Sequence, residues 1–217
     1  MKKLYLALGA LMLIAMVTGC ASVSLVNSWK DAEAPAKQYR KILVVGVANN
    51  NQMRQVFEEV FSDELRKQKL TAISSYTITG VEAKQSRETL EEAVRKSGAD
   101  GVLITRLVNL KRNTTTQTGF VMTDRGFTHP DFYDPVFMPT DMFGYYGATV
   151  SYATFEHRSV EVTTSNVATL QTTLFDAGTG RMVWSGTTSA VDPAGVVTIS
   201  SKLSGVVIRA LASQGLI

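Results

Sequence analysis

Apolar segments alternating with amphipathic ones constrain the fold more than any other feature of this sequence. Residues 42–47 form a continuous apolar run rich in β-branched side chains, which predicts a buried strand. Residues 101–110 form a second such run, and residues 70–78 a weaker one. Apolar residues at helical spacing predict helices over 50–69 and 86–97 between them. This β-α-β-α-β order favours parallel pairing through right-handed crossovers.

The second half of the chain has a different pattern. Residues 174–188 contain a tight turn, Asp176 to Gly180, between two apolar runs, which predicts an antiparallel hairpin. Asp192 and Pro193 are residues typical of a helix start and predict a final helix over 195–213. The predicted fold class is therefore α+β or α/β, with a single mixed sheet. It forms one domain over residues 39–217.

Residues 112–150 interrupt this order as an insertion rich in aromatic residues, proline and glycine. A connection this long is normally functional or disordered. Aromatic residues are enriched at protein interfaces, so the insertion is a candidate partner-binding segment. The alternative is that it folds back and covers one face of its own sheet. The candidate binding residues are Phe120, Phe127, Phe132, Tyr133, Phe137, Phe143, Tyr145 and Tyr146.

The N-terminus has the layout of a secretory signal, with Lys2 and Lys3 ahead of an apolar run that is too short to span a bilayer. This run ends in small residues and a cysteine, and it resembles the lipobox of bacterial lipoproteins. The residues that carry this resemblance are Val17, Thr18, Gly19 and Cys20.

The lipobox resemblance implies that residues 1–19 are removed and that Cys20 carries lipid. Residues 20–38 then read as a lipidated tether, with Trp29 docked on the domain. Ala21 follows the cysteine, and the absence of aspartate there implies sorting to the outer membrane in the enterobacterial type of lipoprotein. The expected location is the cell envelope, with the domain facing the periplasm.

Composition excludes several functions. The formal net charge is +3, but Lys2 and Lys3 in the signal contribute two of these charges, so the body gives no electrostatic case for nucleic acid. Cys20 is the one cysteine, so the folded body has no disulfide and no thiolate site. No cofactor or metal is predicted, because His129, Asp131, Asp134 and Asp141 lack the spacing of a cation loop.

The body also resembles known envelope proteins. The hairpin Leu174–Gly186 resembles one found in uncharacterised lipoproteins, and the element order from Ile42 onward is loosely similar to LpoB, CsgG and the amino-terminal domain of TolB. Those proteins bind envelope proteins or build a secretion pore. As a group they are not enzymes, so the resemblance implies a non-catalytic role. A shared fold does not by itself transfer function.

Three functions follow as hypotheses. The favoured one is a non-catalytic envelope lipoprotein that binds another envelope protein through its domain and insertion. The second is a periplasmic hydrolase with an unrecognised carboxylate site, which a pocket of clustered acids with shifted pKa values would support. The third is a component of an outer-membrane pore, for which only residues 149–164 approach the required alternation. The oligomeric state does not follow from the sequence.

Overall fold

A computed structural model describes residues 23–34, 36–113, 141–144, 146, 165–191 and 195–217. The fold is α+β, with one mixed sheet of six strands. The strands are β1 (Val23–Lys30), β2 (Lys41–Val47), β3 (Thr71–Ser74), β4 (Gly101–Asn113), β5 (Ser165–Asp176) and β6 (Met182–Val191). The helices among these residues are α1 (Asn51–Lys67), the short α2 (Tyr76–Thr79), α3 (Arg87–Ser97) and α4 (Val196–Ser213).

The sheet has a parallel half and an antiparallel half, in the order β1-β6-β5-β4-β2-β3. Strand β2 pairs in parallel with both β3 and β4, as the β-α-β-α-β order predicts. Strands β4, β5, β6 and β1 follow one another as antiparallel neighbours. The predicted hairpin is confirmed, with Asp176 Oδ1 accepting hydrogen bonds from the backbone of Gly178 and Thr179 in its turn.

Two apolar clusters lie on opposite faces of the sheet. On one face, α1 and α4 bury Phe61, Leu65, Leu203 and other residues against the sheet and Trp184. On the other face, α3 buries apolar side chains against β2 and β4. The residues of this second cluster include Leu43, Val45, Leu90, Ala93, Val102, Ile104 and Phe175.

Helix α4 is long and apolar enough to cross a membrane, the one such helix among the described residues. Its side chains at Leu203, Val207 and Leu211 are fully buried in the first cluster. These side chains form the apolar stripe that packs the helix against the sheet.

Two boundaries differ from the sequence-based predictions. Residues 23–30 form strand β1 instead of a tether, because they pair with residues 184–190 of β6. Strand β3 ends at Ser74, after which the chain turns into α2. Helix α4 matches the predicted range 195–213 to within one residue, with Gly195 instead of Asp192 as its N-cap.

Candidate functional site

A buried carboxylate lies beside the carboxyl ends of the parallel strands β2 and β3. Glu58 of α1 is 0% exposed. Its Oε1 accepts hydrogen bonds from the backbone N–H of Gly46 (3.0 Å) and from Ser75 Oγ (2.8 Å). Its Oε2 accepts a hydrogen bond from the backbone N–H of Tyr76 (2.9 Å). This carboxylate therefore ties α1 to the ends of both strands.

Arg54 lies one helical turn before Glu58 and partly balances its charge. Its Nη1 is 3.8 Å from Glu58 Oε1, and its Nη2 donates to the carbonyl oxygen of Val81 at 2.7 Å. Burial raises the pKa of Glu58, and the hydrogen bonds and Arg54 offset only part of that effect. The oxygens of Glu58 are occupied by donors from the protein itself, which leaves them poorly placed to act on a substrate.

The space beside Arg54 is small, and one residue of the insertion contributes to its lining. Tyr146 lines a cavity of about 10 Å³ together with Arg54, Ser75 and Gln85. That volume holds about one water molecule. The described residues contain no group of three or more histidine, cysteine, aspartate or glutamate side chains that could hold a metal ion.

The chain leaves the sheet before the insertion and returns to it at a neighbouring residue. Asn113, the last residue of β4, pairs with Ser165, the first residue of β5. The pairing of β4 with β5 is therefore complete without residues 114–164. This arrangement is a hairpin whose connection has been extended, and the sheet does not depend on it for its strand order.

Two of the eight candidate partner-binding residues are described by the structure, and both contact their own domain. Tyr146 is 3% exposed. Phe143 is half-buried, with the Arg87 guanidinium 5.2 Å from its ring centre. Met142 beside them is buried, and its backbone N–H donates to the carbonyl oxygen of Gly180 at 3.0 Å. The other six lie outside the described residues: Phe120, Phe127, Phe132, Tyr133, Phe137 and Tyr145.

Strand β1 presents a second surface that sequence reasoning missed. It lies at one end of the sheet, and among the described residues it pairs only with β6. Val26 is 62% exposed and Trp29 is 52% exposed, so the predicted docking of Trp29 leaves half of its surface accessible. The pairing register shifts between Leu25 and Asn27, which places a bulge at Val26.

The chain that follows β1 is held firmly to the domain. Arg181 Nη2 lies 3.0 Å from Asp31 Oδ2, and Lys37 Nζ lies 2.8 Å from Asp176 Oδ2. The same Asp176 oxygen accepts a hydrogen bond from Tyr39 Oη at 3.2 Å. Contacts between residues so distant in sequence leave no local pattern, so the sequence alone gives no sign of them. The lipobox residues Val17–Cys20 lie outside the described residues.

Comparisons with known proteins identify no family. No protein-family model and no curated protein matches this sequence. Among solved structures, the PelC dodecamer from Paraburkholderia phytofirmans is 14% identical, with a TM-score of 0.44 over 86% of this chain and 95% of that chain. Lipoprotein GNA1162 from Neisseria meningitidis is 14% identical, with a TM-score of 0.35 over 80% of this chain and 96% of that chain. Similarities this low leave the function to be argued from the residues themselves.

Proposed function

We propose that this protein is a non-catalytic lipoprotein of the cell envelope, anchored in the outer membrane by lipid on Cys20. In this proposal its domain faces the periplasm and binds another envelope protein through the aromatic-rich insertion at residues 112–150.

The observation that carries the binding role is the pairing of Asn113 with Ser165. Strands β4 and β5 pair with each other without this connection, so the eight aromatic residues of the insertion call for another explanation. Long loops held by a rigid scaffold carry binding functions more often than the scaffold does. The contacts of Met142 and Tyr146 with the second cluster fix one part of this insertion on the domain. Because this part of the insertion is already held on the domain, less conformational entropy is lost when a partner binds.

The anchor rests on the lipobox resemblance at Val17–Cys20 and on the two lysines before the apolar run. Each buried methylene contributes about 0.8 kcal/mol, so several acyl chains hold a protein firmly in a bilayer. Mass spectrometry of the mature protein tests this directly and should show an acylated Cys20 at its N-terminus. A Cys20→Ser variant should accumulate uncleaved. Recovery of a soluble periplasmic protein with a free Cys20 thiol would refute the anchor.

The binding role is tested by separating the six candidate aromatic residues outside the described structure from the insertion residues that pack into the core. One variant replaces these six residues with serine at positions 120, 127, 132, 133, 137 and 145. We expect it to keep the melting temperature of the parent protein but to lose its crosslinks to other proteins in cells. The matched control is Met142→Ala, which should lower the melting temperature while retaining the crosslinks, provided that the protein remains folded.

The opposite pattern would contradict the proposal. If the six-residue variant unfolds at a lower temperature and retains every crosslink, the six substituted residues cover the domain instead of binding a partner. If the crosslinks are lost in the six-residue variant, mass spectrometry of the protein that is crosslinked to the parent identifies the partner.

A further inference from the structure

Strand β1 carries an unusual combination of features for an outer strand. Exposed edge strands are sites of unwanted association, and proteins usually protect them with charges, proline or a covering segment. β1 has eight residues and its only charged side chain is Lys30, at its end. Three of its apolar side chains are exposed, with Leu25 at 37%, Trp29 at 52% and Val26 at 62%. This edge therefore requires a partner or a neighbouring surface.

The position of β1 in the chain identifies that surface. Only two residues separate Cys20 from Val23, where β1 begins. Three steps between consecutive Cα atoms span at most about 11 Å. With Cys20 acylated, the start of β1 lies within this distance of the bilayer surface. No free tether intervenes, because the chain is already part of the sheet at Val23.

We infer that β1 lies along the bilayer surface and that Val26 and Trp29 insert among the lipid headgroups. This inference rests on the proposed lipidation of Cys20 and adds a second membrane contact, made by the protein itself. Tryptophan favours this interfacial region because its ring is apolar and its N–H can still meet water. The bulge at Val26 breaks the regular alternation of the strand at its most exposed apolar side chain.

Charge and backbone chemistry limit how β1 meets the lipid. Residues 21–30 contain no acidic side chain, and Asp31, the first one, is paired with Arg181. Lys30 is the one charged side chain of β1, and its positive charge suits the anionic lipids of a bacterial membrane. The outer backbone groups of β1 still need hydrogen bonds, which hydrocarbon cannot supply. The strand must therefore lie in the hydrated headgroup region, with only its side chains reaching deeper.

Tryptophan fluorescence tests this orientation in the full-length, lipidated protein. The protein is reconstituted into vesicles of phosphatidylethanolamine and phosphatidylglycerol that carry a quencher either near the headgroups or at the bilayer centre. Trp184 is fully buried, so it serves as the internal reference for Trp29. The shallow quencher should remove up to about half of the emission, since Trp29 is one of two tryptophans, and the deep quencher should remove little. A Trp29→Ser variant should float with the vesicles but show no quenching.

The acylation of Cys20 and the quenching of Trp29 together distinguish a failure of this inference from a failure of the proposed function. Protein with an acylated Cys20 that floats with the vesicles, yet shows no quenching, overturns the membrane contact and leaves the anchor intact. An unacylated Cys20 overturns both. A Val26→Cys variant distinguishes a second copy of the chain from the lipid surface. Disulfide-linked dimers of this variant on vesicles, together with unquenched Trp29, would assign the edge to a second copy.

Discussion

At the scale of single residues, Asp176 joins its own hairpin turn to the segment that follows β1. Its Oδ1 accepts hydrogen bonds from the turn at Gly178 and Thr179, while its Oδ2 binds Lys37 and Tyr39. Burial by itself would raise the pKa of Asp176, but the hydrogen bonds from Lys37 and Thr179 outweigh burial and lower the pKa to about 2. Folding therefore favours the ionised form of the Asp176 carboxylate over its protonated form.

This shift predicts a specific loss of stability in acid. Because the folded pKa of Asp176 lies below its ordinary value of 3.8, its contribution is present above that value and is lost as the pH falls toward about 2. An Asp176→Asn variant should be less stable at neutral pH and should lose less stability between pH 4 and pH 2. Urea unfolding across this range measures the effect. Asp63→Asn, at a side chain that is 57% exposed, is the control and should follow the parent profile.

Gly186 is required by its contact with Trp184, two residues before it on the same strand. A Cβ atom at Gly186 would lie 2.3 Å from Cη2 of the Trp184 ring. The ring is fully buried and cannot move aside without disturbing the first cluster. Gly186→Ala should therefore destabilise the protein by about 1–3 kcal/mol, measured by urea unfolding. Gly178→Ala is the control, because its Cβ would meet only Asp176 Oδ1, at 3.4 Å; an equal loss in both variants would contradict the prediction.

At the scale of helices and strands, local chemistry explains which elements the sequence predicts. Helix α3 starts after Ser86 and ends at Gly98, whose φ of 56° lies in the left-handed region that glycine adopts without strain. Helix α1 is capped by the Asn50 side chain, which accepts a hydrogen bond from the Met53 backbone N–H. Both helices were predicted because caps and apolar stripes are local signals.

Strand β1 and the Glu58 site were not predicted, and for a physical reason. An edge strand exposed on both faces has no need to alternate polar and apolar residues, so residues 23–30 give no period of two. Glu58 resembles any helical glutamate in the sequence, and only the fold brings Gly46, Ser75 and Tyr76 to it. The insertion was recognised by its composition, but nothing local indicates that Met142 and Tyr146 pack into the second cluster.

The cap of α3 provides a test at this scale. Ser86 Oγ accepts a hydrogen bond from the Thr89 backbone N–H, and Thr89 Oγ1 accepts one in return from the Ser86 backbone N–H. Ser86→Ala removes the first of these bonds and should lower the free energy of unfolding by about 1 kcal/mol. Gln52→Ala, at an exposed position of α1, is the comparison and should change stability by less than about 0.5 kcal/mol. Equal effects of the two substitutions would argue against the cap.

At the scale of the whole molecule, β1 closes the antiparallel half of the sheet and also reaches the end of α4. Lys30 Nζ donates to the carbonyl oxygen of Gln214 at 2.8 Å, and the Gln214 side chain donates to Ser28 Oγ at 3.4 Å. The strand thus links the sheet to the C-terminal helix, so it belongs to the cooperative unit.

Two truncated chains test whether β1 belongs to the cooperative folding unit. A chain that starts at Val23 keeps β1, whereas a chain that starts at Asp31 leaves the outer edge of β6 without its partner. Each ladder hydrogen bond contributes about 1 kcal/mol net, so the shorter chain should be less stable by more than about 2 kcal/mol. Urea unfolding of both chains measures the difference. Equal stability of the two chains would show that β1 does not contribute to the stability of the domain.

With Cys20 lipidated as proposed, its short distance from Val23 also sets where a partner can meet the described core of the domain. Only two residues lie between them, so the start of β1 stays within about 11 Å of the anchored cysteine. On that proposal, a partner that is rooted in the opposite membrane or in the cell wall meets this core only close to the anchoring membrane.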